Sequence, residues 1–337
     1  MNIFNKVANI YLKFFNKNYY KIIQHNKKYF KNFNNKSKNI ILIEFNRWSN
    51  LQIVFSYIGN YLSKKYESEL VAFPGYKYSA IISLYEKLTW WIGSSCGKNF
   101  LVYKSFGVKK FLIPCKKDLE NYMNKNFPMR KISKLRKNFI NLKINQVKIG
   151  DAIYDSYLKE NRVGTAEIYS QKFYKHFKKN ISLFLFWDEY LKKNKVKAIC
   201  TSHSVYHYAL LVRLGIKYSI PTFVTQSSEQ IYRLNNKSNI IETNFKNYPK
   251  IFARITKKNK KIFLNFAKKK MNMHLKGRLS AIPYVYKSSF SNKVSSHKVI
   301  NPNKKIKILI ASQCFIDAPH NYGDNLFVDH LEWLNYL

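Results

Sequence analysis

KVKAICTSHSVYHYALLVRLGIKYSIPTFVT, residues 195–225, is the stretch that decides the fold class. It opens on a short apolar run, Val196 to Thr201, of strand length and composition. A polar step follows, Thr201-Ser202-His203-Ser204, whose hydroxyls suit a helix N-terminus. Val205, Tyr208, Ala209, Val212 and Ile216 then recur at helical spacing, with Gly215 as an end signal inside the last turn. Pro221 opens a second apolar run, Thr222 to Thr225. Strand, helix and strand within about thirty residues make a βαβ unit, and such units belong to parallel sheets covered by helices on both faces.

In a sheet of that kind ligands bind beyond the carboxyl ends of the strands, against helix N-termini. Thr201, Ser202, His203 and Ser204 occupy one such end, and Thr225, Gln226, Ser227 and Ser228 the next. His203 and His207 lie four residues apart, so a helix there carries both imidazoles on one face. Taken alone, their plainer reading is as half-buried helix residues. No neighbouring carboxylate or cysteine cluster completes a metal site, so no metal is expected.

Working outward, Ile40–Phe45 (IILIEF) is a buried strand that leads through Asn46-Arg47-Trp48-Ser49-Asn50 into a helical pattern over 51–62. Leu70–Phe73 is a strand stopped by Pro74-Gly75, Ser79–Ile92 a helix, and Val108–Pro114 a third strand. Asp118–Leu142 is basic and helical with a break at Pro128. In VKIGDAIYDSY, residues 147–157, Asp151 and Asp155 share a helix face, which stands out in a chain with only 18 acidic residues. The plainer reading is charge placed to favour the helix dipole. Thr165–Tyr190 is a long helix. Glu229–Lys250, which includes Arg233, is loop-like, and Ile251–Leu275 is a long basic helix. Residues 288–305 have linker composition; Ile306–Ser312 starts a fresh strand, followed by a polar loop and a helix from about Leu326.

The fold class expected is therefore α/β: a Rossmann-like doubly wound parallel sheet over 40–287, plus the beginning of a second α/β domain at 306–337. Because about thirty residues cannot bury a core alone, that last piece either docks on the first domain or is the start of a truncated one, and the second is the reading taken. Residues 1–39 form a basic amphipathic N-terminal segment in which Ile3, Val7, Ile10, Tyr11, Phe14 and Phe15 line one helix side. Such a helix either lies on an anionic membrane surface or packs on its own domain.

The net charge of +42 is compatible with nucleic acid, an anionic membrane or acidic substrates. Lysine far exceeds arginine, however, and is spread along the chain among abundant Asn, Ile, Tyr and Phe, a set favoured by AT-rich codons. An even spread suits a solvated surface better than a nucleic-acid groove, so no specific nucleic acid is expected. Cys96, Cys115, Cys200 and Cys314 form no CxxC pair, which fits a reducing cytoplasm. Lysine or asparagine interrupts each apolar run in 1–33 before signal-peptide length. The chain contains no GxGxxG, GxxxxGK[ST], DxD or GxSxG, and no RRM, zinc-finger or KH signature. No cofactor is expected.

One long stretch carries a resemblance. Ile310–Leu334, IASQCFIDAPHNYGDNLFVDHLEWL, looks like the interdomain segment of glycosyltransferases of bacterial capsule and surface-polysaccharide biosynthesis. IGDAIYDSYLK (149–159), TSHSVYHYALLVRLGI (201–216) and GRLSAIPYVYKSSF (277–290) resemble the same family in matching order, with Lys159 at an arginine-like position. The resemblance implies a GT-B architecture, with the acceptor on the first domain and a nucleotide-sugar donor mostly on the second. It also implies metal-independent transfer to a polysaccharide or lipid-linked acceptor; the cysteine usage places that on the cytoplasmic side, and the basic surface suits peripheral contact at the inner membrane face. An inverting transfer needs a general base, for which His203 and Asp151 are the candidates. Asp155, Tyr157, Ser202, His207 and Arg233 are expected to bind substrate, and Asp317, His320, Tyr322 and Asn325 to line the interdomain cleft. Two other readings compete: a catalytically silent fragment that binds acceptor or membrane, and a basic nucleic-acid-binding protein.

Overall fold

The computed structural model describes residues 10, 12–14, 16–30, 38–74, 98–112, 119, 122, 136–227, 230–234, 248–276, 314–322 and 325–337. They fall into two units, Met1–Glu242 with Gln313–Leu337, and Thr243–Ser312.

The first unit is built on strand β1 (Asn39–Phe45), the run IILIEF. On one side β1 pairs in parallel with β2 (Glu69–Pro74), and β2 with β3 (Val108–Phe111). On the other it pairs with β4 (Lys195–Thr201), and β4 with β5 (Thr222–Ser227), again in parallel. The five strands form a Rossmann-like α/β sheet in the order β3-β2-β1-β4-β5. A sixth strand, β6 (Gln230–Leu234), adds to β5 antiparallel at the edge. Sequence pattern assigned that stretch to loop, because a hairpin return needs only two linking residues and leaves no helical spacer to flag it.

Parallel strands covered on both faces are largely apolar, as β1 is apart from Glu44 and the end residue Asn39. Ile41, Ile43 and Phe45 point into a core shared with α1 (Lys17–Tyr29), α2 (Ser49–Tyr66) and α3 (Lys98–Ser105). Leu42 points into the opposite core, built by α4 (Gly150–Asn161), α5 (Gln171–Lys193) and α6 (Tyr208–Lys217). The two-residue alternation puts Glu44 on the Leu42 side. The register slips by one residue between Ile40 and Ile41, which face Val196 and Ala198, so Lys197 is bulged out.

Several sequence expectations move by a turn or change meaning. α5 starts at Gln171 rather than near Thr165, because Ser170 Oγ accepts the Phe173 N–H at 3.1 Å and caps it. α6 starts at Tyr208 rather than Val205, since Tyr206 takes a left-handed φ of 55° that no helix continues. Gly215 is not a stop signal. A Cβ there would lie 2.6 Å from Thr222 Oγ1 and 2.8 Å from Ile199 Cδ1, so glycine lets α6 press on β4 and β5. α1 packs on its own domain: Ile23 and Asn26 are buried, and Asn26 Nδ2 donates to Ser105 Oγ at 3.0 Å; of the apolar face expected ahead of it, Ile3, Val7, Tyr11 and Phe15 lie outside the described residues, and Ile10 and Phe14 are exposed. The helix expected over 79–92, the strand at 306–312 and most of 118–142 lie outside the described residues.

The expected boundaries also shift. The segment after the expected hinge packs with the first unit, through a 3-10 turn at Pro319–Tyr322 and a terminal helix discussed below. Residues 243–312 form the second unit. Its described part is α7 (Tyr248–Arg254) and α8 (Lys257–Leu275), two helices where the sequence suggested one. Every charged side chain between Tyr248 and Lys276 is basic, and Ile251, Ile262, Phe263 and Phe266 are exposed. Among the described residues no helix is long and apolar enough to cross a membrane.

Candidate functional site

From β1 the chain winds outward through β2 and β3, and from β4 outward through β5, so the winding reverses between β1 and β4. That reversal opens a crevice beyond the carboxyl ends of the two strands, the usual ligand position in such sheets. A cleft of about 740 Å³ lies there. The end of β1 and the turn after it (Glu44 to Trp48) and the turn between β4 and α6 (Ser202 to His207) form two of its walls, and Lys159 of α4, Arg162 at its C-cap and Lys179 of α5 another.

At its floor Glu44 is completely buried, at 0% exposure. A carboxylate so placed is costly unless donors surround it. Oε2 accepts from Thr201 Oγ1 at 2.8 Å and from the Ser202 N–H at 2.5 Å. Oε1 accepts from Ser202 Oγ and Asn46 Nδ2, both at 2.8 Å. Burial, then the charge of this carboxylate, pushes the Tyr208 phenol well up.

Ser202 Oγ has a single proton, and it goes to Glu44. The hydroxyl therefore accepts at its other contact, His203 Nδ1 at 2.7 Å. That assigns the neutral His203 ring the Nδ1–H tautomer and leaves Nε2 as its basic nitrogen. Glu44, Ser202 and His203 form a relay in which a carboxylate holds an imidazole in one tautomer through a hydroxyl. The His203 ring stacks on Tyr208, with centroids 5.9 Å apart and planes at 29°. His207 also lines the cleft, and burial, then the Lys179 cation, lower its pKa well below the usual imidazole range. The two histidines do not share a helix face, since both precede α6. They meet at the cleft because the turn folds them there.

On the rim, Asp317 Oδ1 accepts from Tyr206 OH at 2.6 Å and from Lys159 Nζ at 2.9 Å. The Tyr206 bond, then Lys159, hold the Asp317 carboxyl below its ordinary range. Lys179 is shifted down by burial, against the pull of Glu160.

The remaining candidates have other roles. Asp151 is 5% exposed and forms a bidentate ion pair with Arg213, Oδ1 to Nη1 at 2.5 Å and Oδ2 to Nη2 at 2.9 Å. Burial opposes its charge, but Arg213 outweighs it and the carboxyl pKa is lowered. With both oxygens taken, Asp151 is a structural anchor, not a base. Asp155 is equally enclosed and meets His320, Oδ1 to Nδ1 at 2.5 Å, while His320 Nε2 lies 2.8 Å from the Val328 carbonyl. Both ring nitrogens thus face acceptors. Burial opposes protonation, yet these bonds raise the His320 pKa. His320 latches the C-terminal segment and does not line the cleft. Tyr157 is buried edge-on against Phe173 and His176, at centroid distances of 4.9 and 5.4 Å, so it packs the core instead of binding substrate. Asn325 Nδ2 ties to the Pro319 carbonyl at 3.0 Å, a loop contact. Arg233 stands opposite Phe223 on β6. Tyr322 ends the 3-10 turn. The side chains of these two lie outside the described residues.

The terminal helix α9 (His330–Tyr336) is held to α4 by Asp329, which does two jobs. Its Oδ1 accepts from the Leu331 and Glu332 N–H groups at 3.1 and 2.9 Å, capping α9. Its Oδ2 accepts from Tyr154 OH at 2.6 Å. Glu332 reaches back and accepts from the Val328 N–H, one residue before the N-cap, at 3.0 Å.

Sequence reasoning missed Glu44, Arg162, Lys179 and Tyr206. Only Glu44 left a signal, a lone acid inside the apolar run IILIEF. Among the described residues no three His, Cys, Asp or Glu side chains converge to hold a metal ion. No protein-family model, curated protein or solved structure matches the chain.

Proposed function

We propose that the chain is a metal-independent glycosyltransferase of bacterial capsule or surface-polysaccharide synthesis, with His203 as general base. The observation that supports this most is the relay from Glu44 through Ser202 to His203, seated in the crevice where an α/β sheet binds ligands. In this reading His203 Nε2 takes the proton of an acceptor hydroxyl as its oxygen attacks the anomeric carbon of a nucleotide sugar. The nucleotide leaves with the electron pair of the broken glycosidic bond. Glu44 stabilises the imidazolium formed, through the Ser202 hydroxyl. The acceptor, a polysaccharide or lipid-linked glycan, occupies the cleft, and the work is done on the cytoplasmic side with peripheral contact at the membrane.

The test is nucleotide release by the purified full chain, supplied with a panel of UDP-, GDP- and CMP-sugars and capsule oligosaccharide acceptors. General-base catalysis is worth about 10²–10⁴-fold, so His203→Gln is expected to lower turnover by at least that lower bound with the fold intact. Equal turnover in wild type and H203Q, or none by the wild type with any pair, overturns the reading.

A further inference from the structure

We infer that the cleft between the ends of β1 and β4 binds an oxyanion, a phosphoryl or carboxyl group, held by Arg162 and Lys179 beside His203. Four cationic side chains line it, Arg47, Lys159, Arg162 and Lys179, against two carboxylates, Glu44 and Glu160. The cations outnumber the carboxylates, and Glu44 offsets none of them. Glu44 is fully buried and satisfied by the strand ends, as described. Glu160 is exposed on the cleft wall, 3.5 Å from His176 Nδ1, and its pull on Lys179 does not outweigh the effect of burial on that lysine. Of the cations, Lys159 is committed to Asp317 on the rim.

The backbone adds to the same field. α2 and α6 both open at this crevice, with Trp48 and His207 at their N-cap positions, and neither side chain caps its helix. The N-terminal ends of both helix dipoles point positive partial charge at the space that the cations line, although in α6 the Ala209 and Leu210 N–H groups already donate to carbonyls of the preceding turn. A partly buried lysine such as Lys179 gains from an anionic partner in a way that a fully solvated one does not. The neutral His207 adds a polar wall without adding charge. Calling the bound group part of the acceptor rests on the transferase reading. The oxyanion site itself does not.

The test is titration of the full chain with three probes, inorganic pyrophosphate, glucuronate and glucose, followed by calorimetry and by the ring signals of His203 and His207. One or both anions are expected to saturate while glucose does not. Pyrophosphate alone assigns a phosphoryl ligand, glucuronate alone a carboxylated sugar, and both together either source. Each charge-assisted contact is worth roughly a factor of ten, so Arg162→Gln and Lys179→Gln should each weaken binding about tenfold. Arg162→Lys should lose less, and Lys172→Gln, on the exposed start of α5, nothing. Circular dichroism confirms that each variant is folded. No saturation by either anion, or equal affinity in R162Q, K179Q and K172Q, overturns the inference and marks adsorption to a basic surface. Anion binding without sugar transfer would leave this site standing and the transferase reading refuted.

Discussion

Replacing Asp151 with Asn strips the charge from one half of an enclosed ion pair and leaves Arg213 behind. The guanidinium is only 12% exposed, and besides Asp151 its Nη1 meets the Lys148 carbonyl at 2.8 Å. One carbonyl does not neutralise it. Breaking a buried pair by removing one partner costs about 3–5 kcal/mol, because the remaining charge is uncompensated. With a urea m-value near 3 kcal/mol/M, the unfolding midpoint should fall by roughly 1–1.7 M. Arg213→Met should cost a similar amount, and the double variant less than the sum, since the second change removes the orphan left by the first. The pH dependence has a definite sign. Because the folded pKa of Asp151 is lowered, its contribution is present above the unfolded value and disappears as pH falls through the folded one. The gap between wild type and D151N should therefore narrow on acidification below about pH 4. Urea titration at pH 7 and pH 3.5 measures both. An unchanged midpoint for D151N at pH 7 would refute the anchor assignment and return Asp151 to the list of candidate bases.

Two further outcomes follow from the docked C-terminal segment and from the second unit. Folded pKa values are raised for both His320 and Asp155, so their contribution is full at low pH and is lost as pH rises through those values, above about 6.5 for the imidazole. Hydrogen exchange of amides 314–337, corrected for intrinsic rate, should quicken between pH 6 and pH 8.5 in wild type. The change should be absent in His320→Gln, and a pH-independent pattern in wild type would refute the latch. The exposed Phe263 and Phe266 among the lysines of α8 have the chemistry of a helix lying on an anionic bilayer. Co-sedimentation with phosphatidylglycerol vesicles should exceed that with phosphatidylcholine, fall with salt, and drop in the F263S/F266S double variant. Indifference to lipid charge and to both substitutions would reject that surface.

What could be read from the sequence followed the range of the interactions involved. β1 and β4 were legible because a strand buried on both faces is mostly apolar, and the α4 and α6 stripes because helical spacing is local. β6 was not, being a short hairpin return among Asn and Lys residues. The site was legible as a place, the polar step after Val196–Thr201, and not as a mechanism. Glu44 and Ser202 are 158 positions apart, and only parallel pairing of β1 with β4 brings them within a hydrogen bond. A lone glutamate in IILIEF signals that something must satisfy it, but the strand does not say what.

The two aspartates of α4 show why the same signal misled. One turn apart on a helix, they were expected to serve as substrate or acid–base groups, the common reason to bring carboxylates together. Both instead turn inward, and an inward carboxylate persists only where the fold supplies a cation. Arg213 of α6 answers Asp151 from 62 residues away, and His320 answers Asp155 from 165 residues away. The second partner comes from the segment whose strand-and-loop pattern suggested a separate domain. That segment is joined to the first unit by the electrostatic demand of Asp155, by the Tyr154 hydroxyl on Asp329, and by the rim contact of Asp317 with Lys159 and Tyr206. The Asp317 contact sets the side chains of Lys159 and Tyr206 at the mouth of the cleft. Residues 314–337 thus shape the approach to His203 while supplying none of the groups that hold it, which is a division of labour that no local pattern in either stretch encodes.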